Sequence, residues 1–271
     1  MSTEGVNEKS RNIDAMTTLE MVSIINEEDD TVAENVKKAL PDIALAIDAI
    51  ADRLKRGGRL IYVGAGTSGR LAIQDAAECT VTYGVPKGTV SAVMAGGREA
   101  VFFPSENVED NFEAGVNDIA NQELNENDCV IGISASGNAA YVCGALDEAQ
   151  RRGALTVSMI CNEYGKIADC SEYVISVPTG AEVISGSTRM KAGTAQKMVL
   201  NMISTAAMIK LGKVTGNFMT WMTPSNEKLQ KRACFIISEV CGVDQMFAAE
   251  LLKNNENNIQ KAISAYKEEL K

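Results

Sequence analysis

The 271-residue chain contains no histidine. The one side chain that ordinarily titrates near neutrality is therefore missing. Any proton transfer at pH 7 falls to Glu, Asp, Lys, Tyr or Cys with a shifted pKa. The commonest zinc ligand is missing too. The seven cysteines, at 79, 129, 143, 161, 170, 234 and 241, contain no C-x-x-C pair. No metal site is expected from that spacing, and the cysteines read as reduced, buried thiols. No apolar run approaches the ~18 residues of a membrane span. The opening MSTEGVNEKSRNID has no apolar stretch of the secretory kind, which points to the cytoplasm and away from a membrane. Positive charge is also scarce: 26 Lys and Arg face 36 Asp and Glu, giving a net charge of -10 and a pI near 4.7. That balance argues against a nucleic-acid partner. What remains is 45% hydrophobic with a mean hydropathy of -0.05, the composition of an ordinary soluble globular protein. The length allows one large domain, or a main domain with a small one.

Periodicity supplies an alternation of strands and helices. Residues 14–56 read as helical, with Leu40, Ile43, Ile47, Ile50 and Leu54 as an apolar stripe that ends at KRGG. The run RLIYVGAG is a short buried strand entering a glycine turn, and a helix over 68–79 follows. Further strands are expected at 90–94, 129–137, 154–162 and 173–177, and helices at 105–121 and 139–152. One long helix is expected over 188–212, with Met198, Met202, Thr205 and Ile209 along one face. This order argues for an α/β fold, a doubly wound parallel sheet flanked by helices. After about residue 222 the chain turns helical and polar. Residues 1–222 therefore read as the main domain. Residues 223–271 read as a small helical module, whose stretch 242–266 has the pattern of the three-helix ubiquitin-associated (UBA-like) fold. Packing or dimer support is its expected role.

The stretch GAGTSG, Gly64 to Gly69, has the G-x-G-x-x-G spacing of a dinucleotide fingerprint. That site also needs an acidic residue at the tip of the second strand. Here the second strand runs into AGG at 95–97, and the nearest carboxylate is Glu99. Instead, Thr67 and Ser68 put hydroxyls beside the free N–H groups of a helix start, which suits a compact phosphate monoester. A second turn, ISASGNAA, supplies Ser134 and Ser136 before Gly137. Both turns follow strands and open helices, so both can face one crevice at the carboxyl ends of a parallel sheet. The expected ligand is a sugar phosphate, met by Gly66, Thr67, Ser68, Ser134, Ser136 and Gly137.

Four segments resemble one family: GAGTSGRLAIQDAAEC, AGGREA at 95–100, VEDNFEAGVNDI at 108–119, and EVISGSTRMKAGTAQKMVLNMIST at 182–205. The chain is identified by them as a divergent member of the N-acetylmuramic acid 6-phosphate etherases. The resemblance implies the SIS (sugar isomerase) fold and a lyase of amino-sugar metabolism and cell-wall recycling that needs no cofactor. It implies cleavage of the D-lactyl ether by elimination and hydration, yielding N-acetylglucosamine 6-phosphate and D-lactate. It implies Glu78 as the acid that assists lactate departure and then activates water, and Glu109 as the base at C2. It also implies that Glu182, Ser187, Thr188, Arg189 and Lys191 line the sugar site. A homodimer is expected, with sites near the subunit boundary.

The chain departs from the family pattern at AAECTVT, 76–82, where SSECPPT is usual, and at SGNAAYV, where SGRTPYV is usual. Arg98 also stands in a histidine's place. These changes imply action on a related sugar phosphate, or slower action on the usual one. A non-catalytic sugar-phosphate regulator and an aldose–ketose isomerase share the fold, but the two glutamates argue against the first and the 182–205 tract against the second. An oxidoreductase using NAD is the most distant reading.

Overall fold

A computed structural model describes residues 2–269. The chain folds as two compact units, one of Met1–Ala76 with Gly88–Ala207, the other of Ala77–Lys87 with Met208–Lys271.

In the first unit, helix α1 (Thr18–Lys38) starts on a capping box: Thr17 accepts from the Glu20 N–H, and Glu20 reaches back to the Thr17 backbone. The single helix expected over 14–56 is in fact two, because α2 (Leu40–Lys55) begins anew after Ala39. Pro41 has no N–H to give to the preceding turn, so the helix cannot run through. Ile43, Ile47, Ile50 and Leu54 are buried as expected, while Leu40 is exposed.

The five strands are β1 (Leu60–Gly64), β2 (Val90–Met94), β3 (Cys129–Ser134), β4 (Leu155–Ile160) and β5 (Tyr173–Ser176), all parallel, in the order β2-β1-β3-β4-β5. β1, β3 and β4 are buried along their whole length, as central strands covered on both faces must be. The crossover helices are α3 (Gly66–Tyr83), the short α4 (Gly97–Ala100), α5 (Phe112–Ala120) and α6 (Ala140–Arg151); α7 (Lys191–Lys210) follows β5. The expected helix at 105–121 is shorter than its pattern: residues 105–111 form a loop, and Asn111 caps α5 by accepting from the Ala114 N–H. On α7 the face of Met198, Met202, Thr205 and Ile209 is not the buried one. Ala192, Ala195, Val199, Ile203 and Ala207 are buried, whereas Thr205 and Ile209 are exposed. Small residues allow close helix approach, and a hydropathy stripe favours larger side chains over alanines.

The order of the strands fixes the site. The chain leaves β1 to pair β2 on one side and then returns to pair β3 on the other, with Gly64 beside Ile133. β1 and β3 are thus neighbours whose connections diverge, which opens a crevice at their carboxyl ends. Both glycine turns sit there.

In the second unit, α8 (Glu227–Cys241), α9 (Gln245–Asn254) and α10 (Ile259–Glu269) share an apolar core of Ala233, Ile237, Ala248, Leu252, Ile259 and Ala262. Among the described residues, no helix is long and apolar enough to cross a membrane.

Candidate active site

The first glycine turn is built by close approach. A Cβ on Gly64 would stand 2.8 Å from the Gly69 nitrogen, so only glycine lets α3 start directly against the strand it leaves. Gly66 takes φ +55°, which turns the chain into the helix. The Gly69 N–H is taken by the Ala65 carbonyl at 3.3 Å, while those of Gly66, Thr67 and Ser68 have no helical carbonyl one turn back and bring positive partial charge to the crevice. The second turn folds on itself: Ser134 Oγ accepts from the Gly137 N–H at 3.0 Å and lies 3.5 Å from Ser136 Oγ. Gly137, at φ +78°, packs on Gly165 so tightly that a Cβ would stand 2.8 Å from the Gly165 Cα.

Between the turns lies a cavity of about 340 Å³. Ala65, Gly66, Thr67 and Ser68 form one wall, Ile133 to Ser136 with Ala139 form another, and Glu4, Glu109, Gly186 and Thr188 complete it. Five hydroxyl-bearing residues, Thr67, Ser68, Ser134, Ser136 and Thr188, therefore line one space, with no Lys or Arg among the lining residues. Helix charge and hydroxyl donors are what this wall offers to an anion. Glu109 is exposed at the cavity, and its backbone carbonyl accepts the Tyr141 N–H at 2.9 Å, which stitches it to the start of α6. Ala139, where the family pattern has a hydroxyl, is part of the wall.

The remaining expected site residues lie elsewhere. Glu182, expected as a sugar contact, is fully buried. Its two carboxylate oxygens accept the N–H groups of Lys191 and Ala192, each at 3.0 Å, so it caps α7. Burial pushes its pKa up, and the two N–H groups together with the Lys191 charge pull against that rise. Lys191, expected to line the sugar site, is also buried; its Nζ lies 2.6 Å from Glu28 Oε2, and Glu28 in turn meets Lys9 at 3.1 Å. Burial raises the Glu28 pKa, but the hydrogen bonds and charges of both lysines outweigh it and leave the carboxyl below its ordinary value. Ser187 is half-buried and Arg189 exposed, and neither is among the residues that line the cavity; Gly137 shapes the turn behind it. Glu78 is exposed on α3, and it too is absent from the lining. It follows Gly66 by twelve positions, about 18 Å along the helix axis.

Asp75, three residues before Glu78, is buried. It accepts from Tyr62, Asn201 and Ser204 at 2.9, 2.7 and 3.1 Å. Burial raises its pKa against those three donors. It ties α3 and α7 together over β1. Burial also pushes the thiols of Cys129 and Cys143 up to about 12, which leaves them protonated and unreactive at neutral pH. Among the described residues no group of three or more Cys, Asp or Glu is arranged to hold a metal ion.

Sequence reasoning missed Glu4. An exposed glutamate in a polar N-terminal arm carries no local signal; only the path of the arm past the second turn brings it to the cavity.

Comparison with known proteins agrees with this architecture. The family model described as glucokinase regulatory protein N-terminal SIS domain matches residues 42–150, and the SIS domain model matches residues 110–206. A phosphoheptose isomerase from Francisella tularensis superposes with a TM-score of 0.56 at 18% identity, covering 72% of this chain and all of that one. Fold and glycine turns thus define an α/β protein of the SIS class. An N-acetylmuramic acid 6-phosphate etherase of Clostridium beijerinckii is 51% identical over 97% of this chain and 86% of its own length. Those of Symbiobacterium thermophilum and Escherichia coli O1:K1 are 52% and 49% identical over 97% of this chain. The chain belongs to the N-acetylmuramic acid 6-phosphate etherase family.

Proposed function

We infer that this enzyme binds N-acetylmuramic acid 6-phosphate and cleaves its D-lactyl ether, giving N-acetylglucosamine 6-phosphate and D-lactate. The observation that carries the reading, beyond family membership, is that Glu109 shares one cavity with the hydroxyl-lined start of α3. The 6-phosphate sits on the α3 N-terminus with Thr67, Ser68, Ser134 and Ser136, and Thr188 meets the sugar. With the ring open, the aldehyde at C1 acidifies C2. Glu109 removes the C2 proton, and those electrons form the C2–C3 double bond as the C3–O bond breaks. An acid protonates the departing lactate oxygen. Water then adds at C3, and C2 regains a proton. No step needs an external oxidant or reductant.

By resemblance the acid is Glu78. It is absent from the lining of the cavity in its own copy. A homodimer resolves this, each copy placing its Glu78 at the other's cavity. Apolar side chains left at the surface support pairing: Leu19, Val22 and Leu45 on α1 and α2 are 74%, 52% and 59% exposed. The helices α8–α10 form a UBA-like module that supports packing or dimerisation. Seven free thiols suit the reducing cytoplasm.

The test is D-lactate release from purified protein. Glu78→Gln should abolish release, and Glu109→Gln should also block exchange of the C2 proton with solvent. If the site is shared, mixing the two variants with subunit exchange restores about a quarter of wild-type activity, because half the dimers are mixed and each holds one intact site. No release by the wild type sinks the etherase reading; no recovery on mixing sinks the shared site.

A further inference from the structure

The N-terminal arm is fastened at two points, and one of its side chains hangs over the cavity. Thr3 is fully buried; its N–H donates to Asn162 Oδ1 at 2.9 Å and its Oγ1 accepts from Asn162 Nδ2 at 3.1 Å. Asn162 Nδ2 also donates to the Ser136 carbonyl at 3.1 Å, so the arm is bound directly to the second glycine turn. Further on, Ser10 Oγ donates to the Val183 carbonyl at 2.6 Å in a buried setting, and Lys9 pairs with Glu28. Between these anchors, Glu4 lines the same cavity as Thr67, Ser134 and Glu109. Its Oε2 lies 3.6 Å from where a Cβ on Gly186 would stand, and Gly186 is held at φ +76°. The 3.6 Å is ordinary van der Waals distance, so the carboxylate and Gly186 are neighbours in the cavity wall. No hydrogen bond or ion pair to that carboxylate is made by the described residues, and the lining contains no cation to neutralise it.

We propose that Glu4 is a substrate-contacting specificity residue: its carboxylate accepts hydrogen bonds from the hydroxyl and amide N–H donors of the bound amino sugar. The inference rests on the sugar-phosphate reading of this cavity. A carboxylate has only acceptors, so it selects ligands that present neutral donors at that position and repels a second anionic group there. The phosphate is held by other groups, the start of α3 and the serine hydroxyls, so the two recognitions are separable by substitution. Residues 2–10 act as a strap that holds this acceptor beside the second glycine turn.

The test compares Glu4→Ala and Glu4→Gln with wild type in three readouts: steady-state D-lactate release, calorimetric affinity for N-acetylglucosamine 6-phosphate, and affinity for inorganic phosphate. A lost hydrogen bond to a charged acceptor corresponds to about a 10- to 100-fold fall in kcat/KM for Glu4→Ala, mainly in KM. Sugar-phosphate affinity should fall by a similar factor and inorganic phosphate affinity should not change. Glu4→Gln, which keeps one acceptor oxygen, should fall less. Equal losses for both ligands would mean that the strap has merely moved and would overturn the assignment, as would wild-type kinetics in Glu4→Ala. If wild type releases no lactate while Glu4→Ala still loses sugar phosphate selectively, the etherase reading fails and the role of Glu4 stands.

Discussion

Gly115 offers the sharpest test of how the scaffold holds Glu109. Helices α5 and α6 cross through two glycines. A Cβ on Gly115 would stand 1.9 Å from the Tyr141 carbonyl oxygen and 3.0 Å from the Ala145 nitrogen; one on Gly144 would stand 2.2 Å from the Phe112 carbonyl oxygen. Carbon and oxygen in contact sit at about 3.3 Å, so Gly115→Ala must separate the helices by roughly 1.4 Å. The obstacle is backbone and cannot swing aside. Alanine gains about 1 kcal/mol of helix propensity over glycine. Overpacking a tight interior costs about 1–3 kcal/mol, and a backbone clash belongs at the top of that range. The net loss should be about 2 kcal/mol, which lowers Tm by roughly 4–8 °C for a unit of this size. The separation occurs at Tyr141, whose N–H holds the Glu109 carbonyl. Misplacing a proton-transfer group by about 1 Å costs on the order of 100-fold in rate. Thermal unfolding and D-lactate release should therefore fall together. Gly193→Ala on α7 is the matched control: its Cβ would meet nothing nearer than 3.5 Å, so stability should hold or rise slightly. A Gly115→Ala protein with unchanged Tm would refute the packing argument. One with lowered Tm but wild-type kcat would refute the link to Glu109.

Asp128 is fully buried and accepts from the Arg59 guanidinium at 2.7 Å and from the backbone N–H groups of Arg59 and Asn125. Burial pushes its carboxyl up, but those hydrogen bonds outweigh it and leave its pKa below the ordinary carboxylate value. A depressed pKa contributes stability above the unfolded value of about 3.9, and that stability is lost as pH falls through the folded value. Asp128→Asn should lower the urea midpoint at pH 7 and flatten the acid limb; a parallel acid limb would count against the role. Gly137→Ala, at φ +78° and against Gly165, should cost more than about 1 kcal/mol and weaken inorganic phosphate binding, measured by calorimetry. Glu182→Gln turns an amide N–H₂ toward one of two N–H groups, so it should cost about 1–3 kcal/mol in denaturant unfolding with little change in KM.

The strands were legible because buried β-branched runs and glycine turns are local features: VSAVM and YVIS fall within a residue of their expected bounds. Helix limits were less so. Pro41 split one expected helix, and the cap at Asn111 began α5 later than its apolar pattern suggested. Glu182 and Lys191 share a motif with Thr188, yet only Thr188 reaches the cavity. Residue type suggested binding for all three. Burial assigned the first two to a helix cap and an ion pair, where their charge is satisfied inside the protein.

By itself, the sequence determined the chemistry that this protein can use. Without histidine, proton transfer rests on carboxylates; with two hydroxyl-bearing glycine turns, a phosphate has somewhere to bind. These follow from side-chain identity and from φ values that only glycine adopts freely, both of which are local. The tertiary structure decided which of those groups meet. Parallel pairing put β1 beside β3 and so brought the two turns to one cavity, and the arm's bonds to Asn162 carried Glu4 there across 158 positions of chain. Such meetings depend on long-range packing, which no local pattern encodes.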